Sequence, residues 1–65
     1  MANFEKLCKL IIDTNGLPNI QDVLDCGYSM ENFIRLSRSA EKPERLVKNA
    51  REALLARGIH YKEAM

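Results

Sequence analysis

Gly16, Pro18, Gly27, Pro43 and Gly58 cut this 65-residue chain into four stretches, none longer than a few helical turns. Proline ends or starts helices, and glycine supplies the left-handed turns that follow them. Isolated helices this short are marginal in water, so they have to bury one another's apolar faces. The expected fold is all-α: a compact bundle of three to four short helices in a single domain spanning residues 1–65.

The first helix is expected from Phe4 to Thr14, with Asn3 as its N-cap and Gly16 just past its end. Phe4, Leu7, Cys8 and Ile11 follow the i, i+3, i+4, i+7 rule. Leu10 and Ile12 widen that stripe to roughly 200°, more than one buried face requires. Such a helix is either central to the fold or half of a dimer contact. Asn19 caps a short second helix whose inner face is Ile20, Val23 and Leu24. It stops at Cys26-Gly27. Ser29 caps the third, Met30 to Ser39, with an apolar face of Met30, Phe33, Ile34 and Leu36 above Ser37 and Ala40. The fourth covers Pro43 to Arg57 and buries Leu46, Val47, Ala50, Ala53 and Leu54. Leu55 falls off that face. Residues 59–65 are expected to form a tail, frayed or folded back through Tyr61.

Composition supports helices over sheets. Valine is confined to Val23 and Val47 and threonine to Thr14, which leaves little for strands. Cys8 and Cys26 form no Cys-x-x-Cys pair and fall among apolar residues, as two reduced buried thiols would. The opening residues lack a signal-peptide pattern and the longest apolar run near them is Leu10–Ile12, so cytoplasm is the expected compartment. Charge is unevenly divided. Residues 1–32 set two lysines against five carboxylates, a net −3, while residues 33–65 set eight basic residues against four glutamates, a net +4. That polarity suggests an anionic partner for the second half.

Chemistry-bearing constellations were sought and none emerges. His60 is the single histidine and lies beyond Gly58, with nothing to activate Cys8 or Cys26 as a nucleophile. Two separated cysteines and one histidine do not make a zinc site. The three isolated glycines make no phosphate-cradling loop. The expectation is a non-enzyme with no metal and no cofactor, acting by binding.

Ile20 to Leu36 reads as a short helix, a Cys26-Gly27-Tyr28-Ser29 turn and a second helix. This stretch resembles helix-turn-helix DNA-binding proteins, including the arabinose-regulator type, which carry a Cys-Gly-aromatic-Ser turn. In that pattern Val23 is the small residue packed on the second helix, and Phe33 and Leu36 are later core positions. Asp22 stands where the family usually has an apolar residue, and Val23 is larger than its usual alanine. The resemblance implies a DNA-binding regulator. Asn32, Arg35, Arg38 and Ser39 would meet bases or phosphates, and Lys42, Arg45, Lys48 and Arg51 would follow the backbone. A domain this small would serve a two-fold site as a homodimer.

A second reading stays open beside it. Residues 23–55 resemble three-helix ubiquitin-associated-type domains, with Cys26-Gly27-Tyr28 at the family's Met-Gly-aromatic loop and Phe33 and Ile34 in its second helix. The family's usual Gly-Asn linker is absent at Glu41-Lys42-Pro43. This resemblance implies a protein-interaction module, or more loosely a small phage- or plasmid-type inhibitor or adaptor docking on a larger protein. Phe4, Leu10, Ile12, Cys26, Tyr28 and Leu55 would then be the interface anchors.

Overall fold

A computed structural model describes residues 2–62 and shows four helices with no strand among them: α1 (Phe4–Asp13), α2 (Ile20–Asp25), α3 (Met30–Ala40) and α4 (Pro43–Ala56). Their starts are set by side-chain caps. Asn3 Oδ1 accepts the Lys6 N–H at 3.0 Å, Asn19 Oδ1 that of Gln21 at 2.8 Å, and Ser29 Oγ that of Asn32 at 3.1 Å. Each cap satisfies an amide that the first helical turn leaves without a partner. α4 has no such cap and starts instead on Pro43.

α1 and α4 are antiparallel. Arg57, past the end of α4, lies over Phe4 at the start of α1, and Gly16, past the end of α1, lies against Pro43 at the start of α4. Gly16 is buried, its φ is +84°, and a Cβ there would collide with the Pro43 carbonyl. Only glycine allows both the turn and the approach. The helices touch in a ring, α1 on α2, α2 on α3, α3 on α4 and α4 on α1, with α1 against α4 the most extensive contact. Leu7, Ile12, Val23 and Leu54 are sealed at its centre, joined by Cys8, Ile11, Cys26, Phe33, Ala40, Leu46 and Ala50. Burying each large aliphatic side chain contributes about 1.5–3 kcal/mol.

Beyond Gly58 the chain turns back along α1. Ile59 donates its N–H to the Leu54 carbonyl, Ile59 and Tyr61 are half-buried, and His60 and Lys62 point to solvent. This alternation is that of an extended strap. The tail is therefore packed rather than frayed through residue 62; the expectation for 63–65 lies outside the described residues.

Two other expectations change. Ile12 and Cys26 are core residues and not interface anchors. The wide apolar arc of α1 is enclosed by α4, α2 and the strap together, and Cys26 is tied down where its carbonyl accepts the Asn3 N–H at 2.8 Å. Conversely, the inner faces assigned to the second and third helices are only partly inside. Val23, Phe33 and Ala40 are buried, whereas Leu24 on α2 and Met30, Ile34 and Leu36 on α3 are exposed.

Candidate binding surface

α3 owes its prominence to its neighbours. It packs on α2 and α4, and its backbone does not closely approach α1 across the ring. A helix held along so narrow a strip buries Phe33 and Ala40, with Ser37 half-covered between them. Apolar residues to either side are left in water. Met30 is 50%, Ile34 40% and Leu36 38% exposed. Met30 and Ile34, four residues apart, share one edge of the helix. Leu36 lies on the other.

Asn32, Arg35 and Ser39 share the Leu36 edge, and all three are exposed. With Phe4 and Tyr28 they line an open furrow of about 480 Å³ between α3 and the start of α1. A smaller depression adjoins it, sharing Phe4 and Leu36 and floored by Leu7, Cys8, Ile11, Leu46, Ala50 and Ala53. The Arg57 guanidinium carbon sits 4.6 Å from the centre of the Phe4 ring. Burial pushes the Cys8 thiol up from its ordinary value, and the nearby Arg57 charge pulls it partly back. Cys8 and Cys26 are both free thiols, and both are sealed from solvent.

Of the residues assigned to DNA, Asn32, Arg35, Arg38 and Ser39 are all exposed on α3, and Lys42 and Arg45 are exposed just beyond it. Asn32, Arg35 and Ser39 lie on the furrow edge; Ser39, Lys42 and Arg45 meet in a depression with Ala40 and Glu41. Arg38 is exposed one helical turn from Arg35 and from Ile34. Lys48 is exposed farther along α4, and Arg51 is half-covered on its Val47 flank. The Arg35 guanidinium is 3.3 Å from the Glu31 carboxylate in an exposed pair one turn apart. Asp22 and Asp25 are exposed on α2, where Gln21 Nε2 donates to Asp25 Oδ1.

Of the proposed interface anchors, Phe4, Leu10 and Tyr28 are half-buried and Leu55 is exposed. The sequence reading missed Met30, Ile34 and Leu36, which it assigned to the core, and Arg57. One signal pointed to the first three: with Phe33 they span roughly 160° of the helix at 100° per residue, too wide for a narrow contact. Among the described residues no cluster of three His, Cys, Asp or Glu side chains is suited to a metal. No helix among the described residues is long and apolar enough to cross a membrane. Compared with protein-family models, curated proteins and solved structures, the chain matches none.

Proposed function

We propose that this chain is a small non-enzymatic docking module that engages a larger protein through α3. One observation carries the reading: an 11-residue helix leaves Met30, Ile34 and Leu36 in water while its polar residues run between them. Scattered apolar residues on a surface need no explanation. Met30 and Ile34 on one edge of α3, and Leu36 beside the apolar furrow on the other, offer a partner apolar contacts on either side of its outward face. The two buried free thiols suit a reducing compartment, which supports cytoplasm as its location.

DNA binding is the second reading, and a specific observation favours it. Lys42 and Arg45 are exposed beside Ser39, and Arg38 and Lys48 are exposed with no ion pair among the described residues. It ranks lower because the helix-turn-helix unit would approach DNA with Asp22, Asp25 and Glu31 exposed on it, and because Arg35 is shared with Glu31.

Salt separates the readings. Contacts with several phosphates weaken steeply between about 50 and 200 mM salt, and an apolar contact does not. We expect no mobility shift of random duplex DNA at low salt. Helical peptides selected from a displayed library should lose binding to Ile34→Glu or Leu36→Glu protein and hold it across that salt range. Tight, salt-sensitive DNA binding that Arg35→Ala/Arg38→Ala abolishes without lowering the melting temperature would install the DNA reading instead.

A further inference from the structure

We infer that the furrow between α3 and the start of α1 receives one kind of occupant: an amphipathic helix of the partner whose apolar stripe is flanked by carboxylates. The inference rests on the docking reading and names the chemistry of its partner. Three observations lead to it.

The floor is apolar. Phe4 and Leu36 are common to both adjoining depressions, and the residues beneath them are aliphatic or thiol. The rim is cationic or neutral. Arg35 lines one side, with Asn32, Ser39 and Asn49 as uncharged hydrogen-bonding groups, and Arg57 lies outside the lining but over the Phe4 ring. No carboxylate is among the residues lining either depression. Arg35 is held only by Glu31 at 3.3 Å in a largely exposed pair. Such pairs contribute little, so an incoming carboxylate exchanges with Glu31 at small cost.

The backbone around the furrow fixes the occupant's conformation. The walls are two helices and the turn that carries Tyr28, with no strand among the described residues, so no sheet edge is offered to an extended segment. An occupant entering an apolar furrow has to satisfy its own backbone, which a helix does. The α3 side of the furrow runs from Asn32 to Ser39, about 12 Å at 1.5 Å per residue, the length of about two helical turns.

The test uses the whole isotope-labelled chain and two synthetic peptides. Each has about fourteen residues, four helical turns, with Leu and Phe at i, i+3, i+4 and i+7. One carries Glu along both flanks of the stripe, the other Lys at the same positions. The Glu peptide should move the amide resonances of Phe4, Tyr28 and Leu36. It should bind about fivefold tighter than the Lys peptide, the preference expected from two exposed arginines. Arg35→Glu should reduce or reverse that preference while the protein melts as before. Leu36→Glu should weaken both peptides.

Equal affinity for the two peptides, a preference for Lys, or a preference for Glu that Arg35→Glu leaves unchanged overturns the acidic occupant. Shifts confined to Met30 and Ile34 overturn the furrow while leaving the docking reading intact. No shift from either peptide overturns the furrow too, and the library selection then decides the docking reading separately. A concentration-dependent dimer that Leu36→Glu dissociates would make a second copy the occupant and overturn the inference.

Discussion

Replacing Gly16 with alanine tests the closure of the ring at one atom. Its φ of +84° is a conformation that costs an ordinary residue about 1–2 kcal/mol. The added Cβ also meets the Pro43 carbonyl and its neighbouring backbone atoms, which have no flexible side chain to move aside. Forcing a methyl into packed surroundings costs typically 1–3 kcal/mol. Together, less about 0.4–1 kcal/mol for the stiffer unfolded chain, Gly16→Ala should destabilise by about 1–5 kcal/mol. Gly58→Ala is the internal control, because its φ is +76° and nothing lies within 4 Å of the added Cβ. It bears the backbone cost alone, partly offset by about 0.4–1 kcal/mol from a less flexible unfolded chain. A domain of this length has roughly 3–10 kcal/mol of total stability. At about 4–8 °C per kcal/mol, Gly16→Ala should, at the middle of that range, lower the melting temperature by ten degrees or more, and Gly58→Ala by only a few. Thermal and urea melts followed by helical circular dichroism measure both. Equal losses would mean that the end of α1 does not rest on Pro43 in solution, and the antiparallel pairing of α1 with α4 would lose its anchor.

Leu54→Ala should cost about 2–5 kcal/mol and leave much of the chain unfolded at ambient temperature, whereas exposed Leu55→Ala should change the urea midpoint little. Cys8 and Cys26 should resist a thiol reagent in the folded protein and react together on unfolding; fast labelling of either in the native state would contradict their burial. Tyr61 donates to both Asp13 carboxylate oxygens, at 2.7 and 2.8 Å, and this hydrogen bond, with some desolvation and the Asp13 charge, raises the phenol's pKa. Its contribution is thus complete below the ordinary tyrosine value near 10 and is lost as pH rises through the elevated one. Ultraviolet titration should show a late-ionising tyrosine that Tyr61→Phe removes. Hydrogen exchange should report loosening of residues 58–62 in that variant with little change in the global melt.

What the sequence disclosed was local. The caps at Asn3, Asn19 and Ser29, the proline start of α4 and the glycine ends are short-range devices, and each helix begins where such a signal stands. Which apolar residues go inside is a property of neighbours, and periodicity does not report it. Ile12 looked surplus because one helix was weighed against one partner, whereas α1 has two helices and a strap around it. Leu36 looked internal for the converse reason: α3 has only α2 and α4 to lie against. The basic residues posed the same difficulty. Spacing places Arg35 and Arg38 one turn apart on α3, but only the packing shows that Arg35 borders the furrow.

The exposed side chains of α3 follow from the size of the molecule. A 65-residue chain has too little volume to enclose four amphipathic helices on every side. The ring closes where α1 can be surrounded, and the helix across from it remains open along two edges. Stability and binding therefore lean on different residues: Leu7, Ile12, Val23 and Leu54 are fully enclosed and hold the fold, while Met30, Ile34 and Leu36 are only partly covered and contribute less to it. Changing the first set removes the protein. Placing a charge at any of the second set should leave the melting temperature within a few degrees of the original, and at Leu36, which lines the furrow, it should also weaken docking, because a carboxylate must then be desolvated where an apolar contact stood. A large loss of stability at Ile34→Glu or Leu36→Glu would show these residues to be structural, and α3 would no longer be available as a binding face.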